Sequence, residues 1–329
     1  MSQIKPTGRY KIRKAGIYLE KTKKSKKKII VCMAALTLCL CVVAVYFIYE
    51  LQFRKEALSY VQEVNADGIA VDLSDNPYFM KKIIGFQYNK AERIQYESEV
   101  TNSTKHAYVL LPPNYDESKK YPVLYLLHGW GGSDKTWLNK DADIIIQNSF
   151  YLDDVQEMIV VFPNSCVNKE ESVPKEDFIA DSKIYDLTEK DLMTSLMPYV
   201  NEHYSTYTDR NHTAIAGYSL GGKESLYTAF THQDVFGYVG SFSTVSPIPD
   251  ENGVEYAATM TDFVIDENIG GFHYMLINTG VDDPYIAGVH TVENALKRNQ
   301  IPHVYYEMEG RHENKVWQNA LYNYLKHIF

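Results

Sequence analysis

Six short apolar runs constrain the fold of this 329-residue chain more than any other feature: Val123–Leu127, Met158–Phe162, Thr213–Ala216, Tyr238–Phe242, Tyr274–Ile277 and His303–Tyr306. Most are continuous rather than alternating, the pattern of strands buried on both faces. Segments of helical character separate them, at about 186–204, 220–231, 285–299 and 314–327. Strand and helix in alternation predict an α/β fold with a doubly wound, mostly parallel sheet. Arg93–Val100 and His106–Leu111 alternate apolar and polar residues instead, which predicts an antiparallel hairpin at one edge. Pro112-Pro113 stops the second strand, because proline has no N–H for the ladder. The stretches 165–185 and 243–270 lack periodicity and are rich in Ser, Asp, Pro and Gly. Insertions of that kind follow strand ends, where ligands bind in such sheets, so both are expected to wall a cleft.

Gly217-Tyr218-Ser219-Leu220-Gly221 fits G-x-S-x-G, with a small apolar strand before it and a helical segment after it. A serine on so sharp a strand-to-helix turn needs very small neighbours two residues away on each side. A lone serine is a poor nucleophile and requires a base and an orienting acid, which in this arrangement follow in the order Ser, acid, His. Six histidines follow Ser219: His232, His273, His290, His303, His312 and His327. His312 stands out, on a loop between a strand and the last helix, whereas His290 falls within a helix and His303 opens a strand. Gly280-Val281-Asp282-Asp283-Pro284 closes strand Tyr274–Ile277 and offers either aspartate as the acid, the other capping the next helix.

His128-Gly129-Trp130-Gly131-Gly132 directly follows strand Val123–Leu127. The backbone N–H groups of Trp130 and Leu220 would together form a two-donor oxyanion hole, Leu220 at the positive end of a helix dipole. The loop has neither a G-K-[ST] ending nor G-x-G-x-x-G spacing, which argues against nucleotide binding.

These motifs resemble the esterase family that includes feruloyl and acetyl-xylan esterases, enterochelin esterases, S-formylglutathione hydrolase and mycolyltransferases. The marks are Leu111–Tyr115, Tyr121–Gly129, Ala214–Gly222, Asp234–Ser243 and Gly310-Arg311-His312-Glu313. The resemblance implies an α/β-hydrolase fold over about residues 91–329, with Ser219 as nucleophile and His312 as base. Its G-x-x-D pattern, begun by Gly280, implies Asp283 as the acid, with Asp282 the runner-up. A second glycine often precedes the family's histidine; Arg311 stands there in this chain. No metal and no organic cofactor are implied. The expected activity is hydrolysis of carboxylic esters, with feruloyl or other acyl groups on carbohydrate among the candidate substrates. The same triad could pass its acyl group to a sugar or lipid hydroxyl instead, and a catalytically silent binding domain is a third reading. With a free imidazole as base, activity is expected to fall as pH drops through roughly 6–7.

Charge divides the chain in two. Residues 1–28 hold eleven Lys and Arg against one acid, Glu20; the whole chain has a net charge of −9, so the remainder is strongly acidic. Between them Ile29–Tyr49 carries no charge over a length that spans a bilayer core of roughly 30 Å. Basic residues resist transfer across the bilayer, which predicts a basic cytoplasmic head (1–28), a signal anchor (29–49), a stem (50–90) and an extracellular catalytic domain (91–329). The stem has a weak helical pattern from Leu51 to Val64. Three of the four cysteines lie in the apolar run, leaving Cys166 alone beyond it, so no internal disulfide is expected and a bacterial cell surface fits. The expected partners are an ester substrate and, through residues 29–49, a lipid bilayer. The acidic outer part argues against nucleic acid.

Overall fold

Continuous apolar runs bury both faces of a strand only when helices cover the sheet on each side, and that is the arrangement found. The computed structural model describes residues 26–48, 62–64, 70–73, 77–153, 155–245 and 263–329. Among the described residues ten strands run in chain order: β1 (Gln62–Val64), β2 (Ala70–Asp72), β3 (Glu92–Ser98), β4 (Ser103–Leu110), β5 (Val123–Leu127), β6 (Ile159–Pro163), β7 (Thr213–Tyr218), β8 (Tyr238–Phe242), β9 (Tyr274–Gly280) and β10 (Val304–Met308). The last eight form one sheet in the order β10-β9-β8-β7-β5-β6-β4-β3. Strands β5 to β10 pair in parallel, and β4 and β3 close one end in antiparallel pairing. The interior strands β5, β6, β7 and β9 are buried throughout, while β3 alternates exposed and buried residues, as an end strand with one wet face should.

The principal helices are α1 (Lys26–Ile48), α2 (Ala142–Leu152), α3 (Phe178–Tyr185), α4 (Thr188–Asp191), α5 (Met197–His203), α6 (Leu220–Thr231), α7 (Ile286–Arg298) and α8 (Asn314–Leu325). On one face of the sheet Tyr125, Ile215 and Ile277 share a core with Val200 of α5, Phe230 of α6 and Leu296 of α7. Alternate residues face the other way; there the Phe242 ring meets Trp137 and Tyr324 of α8.

The expected helix over 186–204 is interrupted. A π-helical turn, Leu192–Leu196, separates α4 from α5. Pro198, the second residue of α5, cannot donate to the Thr194 carbonyl, which breaks the regular ladder there. Asp191, at the end of α4, accepts hydrogen bonds from Tyr96, Ser98 and Lys105 of the β3–β4 hairpin.

The chain divides into two compact units, Met1–Ser59 and Tyr60–Phe329. In the first, α1 is 23 residues long, apolar and exposed along its length, enough to cross a membrane. In the second, much of the expected stem is integrated with the sheet's helices. The N–H of Asp72 donates to Asn323 (2.8 Å), and Asn319 and Asn323 donate back to its carbonyl. Phe79 stacks on Tyr322 at 4.7 Å, and Gln147 of α2 accepts from the N–H of Asn89. The helical pattern expected over Leu51–Val64 ends differently: Gln62–Val64 pairs with Ala70–Asp72 as a strand, and the rest lies outside the described residues.

One buried cluster ties α6 to the segment before α4. Lys223 Nζ lies 2.7 Å from Asp186 and 3.2 Å from Glu224. Burial pushes the fully buried Glu224 carboxyl up to about 8, against the pull of Lys223. An unfolded glutamate titrates near 4.3, so across the interval the folded state holds the extra proton and stability falls as pH rises from about 4.5 to 8. Glu224→Gln removes that contribution. Thermal melts should show the variant's Tm gaining on the parent across this window; a pH-independent difference would contradict the assignment.

Candidate active site

In a parallel sheet every strand ends on the same side, so loops after β5, β7, β9 and β10 gather at one edge. Register brings them level: Leu127 pairs with Gly217, Phe242 with both Tyr218 and Asn278, and Met308 with Gly280. Every residue assigned a role from the sequence lies on one of these four loops or at the start of the helix after it.

Ser219 occupies the turn from β7 into α6 at φ 57° and ψ −124°, a conformation that costs energy for any residue with a Cβ. Its N–H donates to the Phe242 carbonyl at 2.9 Å, which holds the turn in place. Close approach explains both motif glycines. A Cβ on Gly217 would lie 2.5 Å from the Gly221 backbone, and one on Gly221 would lie 2.6 Å from the carbonyls of Leu127 and His128. The loop after β5 rests on the turn, since a Cβ on Gly129 would come within 3.0 Å of Ser219 Cβ. Leu220 opens α6, so its N–H has no acceptor within the helix.

Asp283 and His312 meet directly, Oδ2 to Nδ1 at 2.9 Å. The two loops that carry them are joined by backbone bonds, Val281 N–H to the Met308 carbonyl and Asp282 N–H to the Gly310 carbonyl. The approach is so tight that a Cβ on Gly280 would sit 2.4 Å from the Gly310 oxygen. Asp283 is buried and its second oxygen accepts from the N–H of Tyr285 at 2.8 Å, whereas Asp282 is exposed. Burial pushes the Asp283 carboxyl up. The hydrogen bond from His312, the Tyr285 N–H, the imidazole's charge and the nearby buried Ser243 hydroxyl outweigh that and hold it below the ordinary carboxylate range. Of the two aspartates, only Asp283 is paired with the imidazole.

Trp130 projects from the loop after β5 with its indole N–H donating to buried Asp181 at 2.9 Å and its ring edge-on to Phe178. The 165–185 insertion therefore supports this loop directly. Of the 243–270 insertion, residues 246–262 lie outside the described residues.

The Esterase family model, described as "Putative esterase", matches residues 98–272, more than half of the chain. The chain belongs to this esterase family. Among curated relatives, an endo-1,4-beta-xylanase/feruloyl esterase of Xylanibacter ruminicola is 29% identical over 192 residues, covering 56% of this chain and 25% of that one. The chain thus spans about a quarter of that relative's length. Among solved structures, a CE1 ferulic acid esterase of Anaeromyces mucronatus in complex with ferulic acid shares 30% identity at a TM-score of 0.70, covering 79% of this chain and 97% of that one. S-formylglutathione hydrolase of Staphylococcus aureus, at 18% identity and a TM-score of 0.53 over 72% of this chain and 97% of that one, shares the fold.

Four contacts of this esterase-family site escaped the sequence reading. The imidazole of His312 lies edge-on between the rings of Tyr285 (4.9 Å) and Trp317 (5.1 Å). Trp317 also stacks on Tyr218 at 4.0 Å, so one indole braces both the residue before Ser219 and the histidine loop. Lys140 Nζ lies over the Trp317 ring, 4.9 Å from its centre. No motif marks Tyr285, Trp317 or Lys140. Trp317 had only its place one turn into the last helix, five positions after His312, to suggest a role.

Proposed function

We propose that this chain is a membrane-anchored serine esterase that hydrolyses carboxylic esters, feruloyl esters of carbohydrate foremost, through an acyl-enzyme on Ser219. The observation that carries the reading is the pairing of buried Asp283 with half-buried His312 on two joined loops at the edge where the strained Ser219 turn lies. Ser219 Oγ attacks the ester carbonyl while His312 Nε2 takes its proton. Asp283 keeps the other imidazole proton on Nδ1 and stabilises the imidazolium that forms. The N–H groups of Trp130 and Leu220 receive the negative charge of the tetrahedral intermediate. His312 returns its proton to the leaving alcohol, and water then repeats the sequence in reverse to free the acid.

The substrate class follows from the relatives together with the site's rim. Exposed Trp130 offers an aromatic face next to the serine turn, its indole locked by Asp181 and Phe178, suited to a planar acyl group. Helix α1 supplies the anchor, and the basic residues preceding it favour a cytoplasmic N-terminus with the catalytic domain outside.

One experiment addresses chemistry and anchoring together. Membranes from cells expressing the full chain are washed with carbonate and assayed on acetyl, butyryl and feruloyl esters and on acetylated sugars. Activity that stays with the washed membranes and favours the feruloyl ester is expected. Loss of all ester turnover contradicts the esterase reading, and activity released by the wash contradicts the anchor.

A further inference from the structure

A backbone N–H can serve in an oxyanion hole only if its peptide plane is fixed, and in a planar trans peptide the C=O and N–H point in opposite directions. The Trp130 N–H therefore points wherever the Gly129 carbonyl does not. That carbonyl accepts from the Gly132 N–H at 3.1 Å and lies 2.8 Å from His128 Nδ1. The N–H of Ser165 donates to His128 Nε2 at 3.0 Å, so the imidazole proton sits on Nδ1 and donates to Gly129. Burial holds His128 neutral, its pKa pushed down to about 4.

Tyr185 completes the arrangement. Its hydroxyl accepts from the Gly131 N–H at 2.8 Å and from Cys166 Sγ at 3.2 Å, and donates to the Gly129 carbonyl at a longer 3.4 Å. The peptides on both sides of Trp130 are thus held by one phenol. The Tyr185 ring belongs to a buried cluster with Leu220, the residue of the other expected donor. The next residue, Asp186, is bound to Lys223 one turn into α6. Nothing in the G-x-S-x-G or His-Gly motifs points to this tyrosine, which lies in the aperiodic 165–185 insertion.

We infer that Tyr185, with His128, is a positioning residue that aims the Trp130 N–H at the oxyanion, acting through the Gly129–Trp130–Gly131 backbone and touching no substrate. The inference rests on Ser219 being the nucleophile. Without the phenol oxygen the Gly131 N–H loses its acceptor, and the loop can rotate its peptides away from the reacting oxygen. Tyr185→Phe keeps the ring and removes only that oxygen.

The test compares full-length wild type, Tyr185→Phe and Ser219→Ala on a feruloyl ester, together with inhibition by a boronic acid, whose tetrahedral serine adduct places an oxygen in the hole. Loss of a hole donor lowers kcat by roughly 10²–10³-fold, so its misdirection in Tyr185→Phe is expected to lower kcat by about tenfold or more. KM should stay within about twofold, and boronate affinity should fall in step with kcat, because only the tetrahedral state uses the hole. A purely structural role would not produce that split. Wild-type kcat and boronate affinity in folded Tyr185→Phe overturn the inference and leave the nucleophile standing; turnover surviving in Ser219→Ala removes the nucleophile itself. Should Tyr185→Phe fail to fold, His128 gives the same reading. His128→Asn keeps a donor where Nδ1 lies and is expected to exceed His128→Ala in kcat by about tenfold at equal KM, and equal kcat in the two overturns the inference.

Discussion

Ser219→Ala is expected to lower kcat by roughly 10⁴–10⁶-fold, because removing the nucleophile of a serine triad leaves only the contribution of binding and the oxyanion hole. The fold should survive. Alanine at the first position before a helix ordinarily loses about 1 kcal/mol through the missing cap. The Ser219 side chain makes no capping bond, and the turn is held by its backbone N–H on Phe242, which alanine retains. Thermal melts alongside steady-state kinetics check both halves. A variant within tenfold of wild type would remove Ser219 from the chemistry; a variant that fails to fold would show that the hydroxyl has a structural part the geometry does not reveal.

The second large effect separates two adjacent acids. Asp283→Asn is expected to lower kcat by about 10³–10⁴-fold, and Asp282→Asn to stay within about twofold. The reason is tautomeric. The Tyr285 N–H binds one oxygen of residue 283, so an asparagine there would keep its oxygen on Tyr285 and turn its NH₂ toward His312 Nδ1. That donor stabilises the imidazole with its proton on Nε2, where it cannot accept the proton of Ser219. Asp282 is exposed and joined to the histidine loop only through its backbone N–H, which the substitution leaves intact. Steady-state kinetics on both variants decide the assignment. Equal losses would mean that charge at this loop matters more than the identity of its donor.

The parts of the fold most visible in the sequence are those with a strong local reason. Leu220–Thr231 was expected as a helix over 220–231 and is one, because glycines and small residues mark the turn that starts it. The interior strands declare themselves by apolar continuity. Helix α2 does not, although it is eleven residues long. Its Ile144–Ile146 run is followed by Gln147, Asn148 and Ser149, three polar residues that interrupt the apolar pattern and are nevertheless buried. Gln147 and Asn148 bind the backbone of residues 79–89, so their burial makes sense only with that partner in place. The same holds for Asp72, whose anchorage on Asn319 and Asn323 joins positions about 250 residues apart.

The site divides along the same line. Ser219 and His312 stand out in the sequence because a strained turn and a strand-end loop demand particular neighbours. Asp283 could not be told from Asp282, since adjacent residues share a loop and differ only in which one turns inward. Trp317, Tyr185 and Ser243 reach this region from elements distant in sequence, and no spacing rule reports them.

Reaction of the full chain with a fluorophosphonate, followed by peptide mapping, tests the central assignment most directly, because phosphonylation needs an activated serine. A single adduct on Ser219 is expected, absent in Ser219→Ala and strongly slowed in His312→Ala. An adduct on another residue, or equal labelling of wild type and Ser219→Ala, would contradict it.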